Sequence, residues 1–185
     1  MRGRRRALDQ AQRLRLSEAA AAAFSRHRLF LSARRIACYL SNDGEMDPMP
    51  LIGLAWAMGK QVYLPVLSHL RSDHLLFAPY APGDALRANR FGIPEPVVAL
   101  RHLVEARVLD VVLMPLVAFD LRGNRLGMGG GFYDRSFAFL RRRRHWLKPH
   151  LVGMAYEFQC VDALARRHWD VPLQGVVTEQ GFTAF

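Results

Sequence analysis

Cysteine, lysine and long apolar runs are all scarce in this sequence. Its only cysteines, Cys38 and Cys160, have no metal-ligand spacing and are too few for a disulfide framework, so we expect a reducing, cytoplasmic environment. No apolar run approaches the ~20 residues of a transmembrane helix, and the alanine-rich segment after Glu18 is too short for a secretory signal. Asp9 and Glu18 also argue against an organellar transit peptide. A disulfide-rich secreted domain and a membrane protein are therefore excluded.

Positive charge is abundant, and arginine carries nearly all of it. The formal net charge is +10, with Lys60 and Lys148 as the only lysines. Such a surplus attracts phosphates, either on nucleic acid or on a small nucleotide. The arginines cluster at residues 4–6 and 141–144, and the second run is also typical of a helix C-terminus. A nucleic-acid-binding module is the rival interpretation, but interleaved aromatics, a zinc motif and a reading helix are missing.

Helical and strand-like segments alternate along the chain. Helices are predicted up to about Leu31, with Asp9 and Gln12 as a capping box, and over residues 48–60, capped by Asp47, and 132–144. Strands are predicted at residues 34–41, 61–66, 74–80, 108–120, 150–156 and 173–178. Residues 67–73 and 81–96 are predicted to be irregular, and 160–169 a short helix or turn.

This alternation predicts an α/β fold. We expect a Rossmann-like three-layer sandwich, in which helices flank a mostly parallel central sheet. The length of 185 residues fits a single domain over residues 1–185. Because ligands of such sheets bind beyond the carboxyl ends of the strands, the loops at residues 42–48 and 125–135 are predicted to form the site.

The segment RLGMGGGFYDR, residues 125–135, carries the strongest functional signal. Four glycines at residues 127–131, between a buried strand and a helix, predict that backbone N–H groups approach an anion. A P-loop is excluded because its lysine and hydroxyl are missing, and the dinucleotide fingerprint fails at Phe132. Asp134 either caps the helix dipole or faces a polyphosphate through Mg²⁺, with Arg125 and Arg135 flanking the phosphates.

The longer segment PLVAFDLRGNRLGMGGGFYDR resembles the signature of the 5-formyltetrahydrofolate cyclo-ligase family, also called 5,10-methenyltetrahydrofolate synthetases. RRRAL, YLSNDGEMD, GKQVYLPV, NRFGIPEP and WDVPLQGVVT extend the resemblance over nearly the whole chain. It implies conversion of 5-formyltetrahydrofolate to 5,10-methenyltetrahydrofolate, with ATP and Mg²⁺ as cofactors and ADP and phosphate as products. It also implies a monomer that acts on a reduced folate and a nucleotide, without nucleic acid or membrane as a partner.

The resemblance further implies a role for individual residues. Arg125, Tyr133 and Asp134 are the expected catalytic residues, and Asp134 and Asp170 the expected Mg²⁺ ligands. ATP is expected to contact Arg4, Arg5, Arg125, Gly127, Met128, Gly129, Gly130, Gly131, Phe132 and Tyr133. The folate is expected to contact Leu40, Glu45, Phe91, Met128, Gly129, Gly130, Gly131 and Phe132.

Several of these residues also have ordinary structural interpretations. Glu45 is compatible with a plain loop acid, Asp170 by itself indicates a turn, and Phe91 is equally compatible with loop packing. Asp120, at the end of a predicted strand, is expected to stabilise the turn that follows it. The reaction itself needs positioning and charge neutralisation: phosphorylation of the formyl oxygen creates a leaving group, and N10 then closes the ring.

The N-terminus and the glycine loop depart from the family pattern. Family members usually have a short helix before RRRAL whose basic residues reach ATP. In this sequence either Arg2, Arg4 and Arg5 substitute for them, or the sequence is truncated. Met128 and Gly130 stand where some members have a basic residue. The alternative function is a nucleotide- or nucleic-acid-binding α/β protein that has lost the family's activity through its shortened N-terminus.

Overall fold

Helices and strands alternate in the computed structural model, which describes residues 1–67, 73–142 and 148–185. The α-helices are α1 (Arg2–Ala7), α2 (Gln10–Ser25), α3 (Arg28–Ser32), α4 (Met49–Ala57) and α5 (Phe132–Ser136). The strands are β1 (Arg35–Ala37), β2 (Gln61–Leu67), β3 (Leu75–Pro79), β4 (Leu86–Ala88), β5 (Pro94–Pro96), β6 (Val111–Met114), β7 (Ala118–Phe119), β8 (Arg125–Leu126), β9 (His150–Met154), β10 (Gly175–Thr178) and β11 (Gly181–Ala184). Short 3-10 helices lie at Leu100–His102, Ala106–Val108, Ala138–Arg142 and Glu157–Gln159.

The main sheet has seven strands in the order β11-β10-β9-β6-β1-β2-β3. The five inner strands run parallel, whereas β11 and β3 pair antiparallel at the two edges. Two small hairpins, β4-β5 and β7-β8, stand outside this sheet. The predicted α/β fold with a mostly parallel sheet and flanking helices is confirmed.

Both faces of the sheet are buried. Successive residues of a strand point to opposite faces, so Ile36 and Cys38 pack into one apolar cluster and Ala37 into the other. Helices α2 and α4 cover the first face. Phe24 of α2 also stacks on Phe182 of β11, with ring centres 5.5 Å apart. Burial on both faces explains why the inner strands are apolar runs in the sequence.

Two predicted helix starts are confirmed. Gln12 N donates to Asp9 Oδ1 at 2.7 Å and Asp9 N donates to the Gln12 side chain at 3.0 Å, which is a capping box. Met49 N donates to Asp47 Oδ1 at 3.0 Å before α4. The basic segment predicted as one helix is divided into α1, α2 and α3, because the Asp9 cap begins a new helix.

Three predicted segments have different extents in the structure. The strand predicted at 108–120 stops at Met114, before Pro115, which has no N–H to donate, and its last residues form β7 of a separate hairpin. The segment 81–96 contains the β4-β5 hairpin rather than only irregular chain. The helix predicted at 132–144 ends at Ser136, whose Oγ accepts from Leu75 N at 2.8 Å, and a 3-10 helix follows to Arg142. Parts of two predicted segments, the loop at 67–73 and the arginine run at 141–144, lie outside the described residues. The ranges concerned are 68–72 and 143–147.

Expectations about the cysteines and about membrane-spanning helices also followed from the sequence. Cys38 and Cys160 are both free thiols. No helix in the described ranges combines the length and apolar content that a membrane crossing requires.

Candidate active site

The glycine loop, defined as residues 127–131, connects β8 to α5. Gly129 and Gly131 have φ values of +88° and +65°, in the left-handed region that glycine enters at little cost. Within the part of the chain that the structure describes, no backbone N–H of this loop donates to a protein acceptor. Unpaired N–H groups in a glycine-rich turn form a concavity suited to phosphate oxygens.

Arg135 and Phe132 hold one side of the glycine loop. Arg135 donates from Nη2 to Gly130 O at 2.7 Å and from Nε to Asp73 O at 2.9 Å. Its guanidinium carbon lies 5.4 Å from the centre of the Phe132 ring. A Cβ on Gly131 would lie 2.7 Å from Arg135 Nη1, and one on Gly130 2.9 Å from the Phe132 ring. Side chains at these two positions would therefore displace the groups that fix the loop.

Arg125 and Asp134 form an ion pair beside the glycine loop. Arg125 Nη2 donates to Asp134 Oδ1 at 2.6 Å, and Arg125 Nη1 donates to Val171 O. Val171 N donates to the same Oδ1 atom at 3.1 Å. The Arg125 side chain is 7% exposed and that of Asp134 25%, so only the carboxylate reaches solvent. Asp134 Oδ2 has no protein hydrogen-bond partner among the described residues.

The second predicted metal ligand, Asp170, directly precedes Val171. Its Oδ2 accepts from Arg167 N at 2.8 Å, and its own N–H donates to Arg167 O at 3.1 Å, as in a turn. The segment that carries Asp170 is therefore hydrogen-bonded to Asp134, because Val171 N donates to the Asp134 carboxylate. The described residues contain no group of three or more metal-binding side chains. Two carboxylates suit Mg²⁺ only when phosphate oxygens and water complete its shell, and both assignments stay predictions.

The two predicted ATP-binding arginines of α1 have different surroundings. Arg5 is fully buried, and its Nη1 donates to Leu116 O at 3.0 Å. Arg4 is exposed, and its guanidinium lies 4.4 Å from the centre of the Phe158 ring. Arg5 is already bonded to the protein, whereas Arg4 is open to a ligand. Contact of either residue with ATP stays a prediction.

Asp43 is a further residue that the sequence analysis missed. Arg2, Arg5 and Arg6 of α1 all donate to its carboxylate. Hydrogen bonds from Arg6 and then Arg2 hold the pKa of Asp43 at about 2. The available signal was weak: a run of arginines and an acid in the NDGE motif, separated by 37–41 positions in the chain.

Glu45 and Tyr133, one from each predicted site loop, lie close together. Burial raises the pKa of Tyr133, and the nearby Glu45 carboxylate raises it further. Burial also raises the pKa of Glu45, although a hydrogen bond from Asn42 N at 3.1 Å opposes the shift. Tyr156 Oη donates to Glu45 O at 3.4 Å. The charge of Glu45 therefore acts on Tyr133, in the helix that follows the glycine loop.

Phe91 reaches this site from the β4-β5 hairpin. Its ring meets that of Phe132 edge-on, with centres 6.0 Å apart, and it is 55% exposed. Asn89 Oδ1 accepts from Phe91 N at 2.9 Å and so fixes the turn. Leu40, which follows β1, is half-buried against the core. The proximity of Phe91 to the glycine loop is observed, and the folate contacts of both residues stay predictions.

Asp120 has the structural role predicted for it. Its side chain is buried and accepts from the N–H groups of Arg122, Asn124 and Leu164. Burial opposes ionisation, but these bonds and one from the Asn124 side chain lower the pKa of Asp120 on balance. The carboxylate therefore fixes the β7-β8 turn and the segment around Leu164.

Comparisons with known proteins agree with this geometry. The 5-formyltetrahydrofolate cyclo-ligase family matches the chain over residues 1–179. The chain is 44% identical over 178 residues to the 5-formyltetrahydrofolate cyclo-ligase of Escherichia coli K12, covering 96% of each. It is 45% identical over 143 residues to the Haemophilus influenzae enzyme of the same name, covering 76% of this chain and 73% of the other. The NMR structure of Aquifex aeolicus 5,10-methenyltetrahydrofolate synthetase superposes with a TM-score of 0.81 at 33% identity, covering 99% of this chain and 88% of the other.

A parallel α/β sheet with a glycine loop and carboxylates at one site is typical of enzymes that bind phosphate groups. The chain belongs to the 5-formyltetrahydrofolate cyclo-ligase family. The predicted family and the predicted ligase class are confirmed.

Proposed function

We propose that this protein converts 5-formyltetrahydrofolate to 5,10-methenyltetrahydrofolate with ATP and Mg²⁺, releasing ADP and phosphate. The observation that supports this most directly is the glycine loop itself, whose backbone N–H groups have no protein acceptor among the described residues, beside the Arg125–Asp134 ion pair. A reaction between a nucleotide phosphate and a formyl oxygen needs both substrates side by side. Membership of the cyclo-ligase family indicates the class of reaction.

The glycine loop fits the phosphates of ATP. Its N–H groups have no partner among the described protein atoms, and an added Cβ at Gly127 or Gly129 would meet nothing within 4 Å. Open space on a donor-lined loop suits a bound anion. Arg125 and the exposed Arg4 add positive charge. When bound, ATP with Mg²⁺ supplies the phosphoryl group that makes the formyl oxygen a good leaving group.

Asp134 and Asp170 would hold Mg²⁺. Asp134 Oδ2 has no protein partner among the described residues and is not buried, and hard carboxylate oxygens are the donors Mg²⁺ prefers. Arg125 limits the rotation of Asp134 through its bond to Oδ1. The protein thus presents one oriented oxygen to a cation rather than a freely rotating carboxylate.

The folate would bind between the Glu45 loop and the aromatic pair Phe91–Phe132. Glu45 would accept hydrogen bonds from pterin N–H donors, and the two rings would cover an apolar part of the substrate. The raised pKa keeps the Tyr133 hydroxyl protonated, so Tyr133 would act as a hydrogen-bond donor next to the reacting groups. Positioning of N10 against the formyl carbon then favours ring closure.

The proposal is tested by incubating the purified protein with 5-formyltetrahydrofolate, ATP and Mg²⁺ and following methenyltetrahydrofolate absorbance. We expect the signal to require all three components and to disappear on chelation of Mg²⁺. A folded protein that binds ATP in calorimetry but produces no methenyltetrahydrofolate would contradict the proposal and favour the inactive alternative. We also propose a monomer in the cytoplasm, which size-exclusion chromatography and cell fractionation test.

A further inference from the structure

Three arginines of one short helix converge on a single carboxylate. Arg2 Nε lies 2.6 Å from Asp43 Oδ2, Arg5 Nη2 lies 3.3 Å from the same oxygen, and Arg6 Nε bonds Oδ1. The Arg5 side chain is fully buried, whereas those of Arg2 and Arg6 are 48% and 59% exposed. One acid therefore fixes α1 against the loop that follows β1.

The loop is in close contact with the helix backbone. Asp43 has a φ of +52°, a left-handed conformation that residues other than glycine rarely adopt. Gly44 has a φ of +72°, and a Cβ there would lie 3.0 Å from the Arg5 carbonyl. Asn42 Oδ1 accepts from Asp43 N at 2.8 Å. Such an unfavourable backbone persists only where its surroundings stabilise it, and the arginines do so here.

Arg5 and Asn42, which both bond Asp43, also contact Glu45. Arg5 Nη1 lies 3.9 Å from Glu45 Oε1 while donating to Leu116 O at 3.0 Å. Glu45 Oε2 accepts from Asn42 N at 3.1 Å. The Glu45 carboxylate is thus oriented by a buried guanidinium on one side and by the loop backbone on the other. Asp43 is hydrogen-bonded to both Arg5 and Asn42.

We propose that Asp43 is a positioning residue for the folate half of the site, acting through Arg5 and the loop to orient Glu45. This inference rests on the proposed function, because Glu45 is assigned to the folate there. Helix α1 then has a role besides its predicted contact with ATP, because it forms a rigid support for the folate loop. Asp43 then controls folate affinity and leaves the glycine loop unchanged.

The test is calorimetric binding of 5-formyltetrahydrofolate and, separately, of ATP–Mg²⁺ to Asp43→Asn and to the unaltered protein. We expect about tenfold weaker folate binding, the size of one lost charge-assisted hydrogen-bond set, and an ATP dissociation constant within about twofold. Asp9→Asn is the matched control, since Asp9 caps α2 outside this cluster. It should leave folate affinity unchanged, and because asparagine caps a helix about as well as aspartate, the melting temperature should change little.

A double variant separates positioning from a general loss of structure. If Asp43 acts through Glu45, Asp43→Asn adds little to the folate deficit of Glu45→Gln. If Asp43→Asn does not fold, Arg2→Gln and Arg6→Gln each remove one exposed contact, and each should weaken folate binding by roughly two- to fivefold. Unchanged folate affinity in the folded variants, additive deficits in the double variant, or a parallel loss of ATP affinity would overturn the inference.

The outcomes distinguish this inference from the proposed function. Folate binding without turnover in the unaltered protein would contradict the proposed function but leave the positioning of Glu45 measurable by affinity. Full turnover with normal folate affinity in Asp43→Asn would overturn the positioning alone. An unaltered protein that binds no folate would overturn both.

Discussion

Arg125 holds Asp134 by a 2.6 Å hydrogen bond to Oδ1 and leaves Oδ2 without a protein partner among the described residues. The two residues are neighbours in the fold because β8 carries the arginine and α5, directly after the loop, carries the acid. A carboxylate that only capped a helix would not need a nearly buried arginine as a partner. The arrangement instead supports the proposed role of Asp134 as a carboxylate oriented for a cation.

Asp134→Asn should abolish turnover while preserving the fold. The amide keeps the shape but removes the charge that a cation requires, so we expect a loss of at least about a hundredfold in kcat. Methenyltetrahydrofolate formation and the melting temperature are the measurements. Asp162→Asn, at an exposed acid in the segment before Asp170, is the matched control and should retain activity. Retained activity in Asp134→Asn would show that Asp134 is only a cap.

Gly129→Ala and Gly127→Ala form a matched pair for the loop backbone. An added Cβ meets nothing within 4 Å at either position, but only Gly129 has a positive φ, of +88°. We expect Gly129→Ala to lower the free energy of unfolding by roughly 1–2 kcal/mol and Gly127→Ala by less than about 0.5 kcal/mol. Chemical denaturation measures both. Equal effects would mean that the loop adopts another conformation.

Glu45→Gln should stabilise the protein at neutral pH while weakening folate binding. Burial raises the pKa of Glu45, so its ionised form costs stability that is absent below the ordinary glutamate pKa and grows as pH rises through the raised value. The variant should therefore unfold at a higher temperature than the unaltered protein at pH 7, and the difference should vanish in acid. A lower melting temperature at pH 7 would show that the ionised carboxylate stabilises the loop.

Phe91→Ala should raise the KM for 5-formyltetrahydrofolate without affecting stability. The ring is 55% exposed and contacts Phe132, so its loss removes little buried area but uncovers the glycine loop. We expect a KM increase of roughly three- to tenfold, the worth of one aromatic contact. Leu100→Ala, at a side chain that is 70% exposed, is the control. An unchanged KM would assign Phe91 to loop packing.

The sequence predicted the inner strands and the glycine loop well because their signals are local. Buried parallel strands such as β6 are apolar runs, and four glycines within five residues have few structural explanations. The β4-β5 hairpin was missed because all three residues of β4 are exposed and two of the three in β5 are proline. Such short strands have no hydrophobic period to detect.

The role of Asp43 could not be predicted for a different reason. Its partners lie in a helix 37–41 positions earlier, and no local pattern indicates which of many arginines a loop acid will meet. The same holds for Arg135, which was expected to flank phosphates but bonds Asp73, 62 positions earlier in the chain. Contacts between distant segments depend on the completed fold.

The stacking of Phe24 on Phe182 has a consequence for the order of folding. Helix α2 precedes all the strands of the main sheet in the chain, including β11, against which it packs. The Arg5 guanidinium of α1 likewise has acceptors only once Leu116 and Asp43 are in place. The first layer of the sandwich therefore depends on contacts between residues far apart in sequence. Such non-local contacts form slowly, because closing a long loop costs entropy before the contact stabilises the chain.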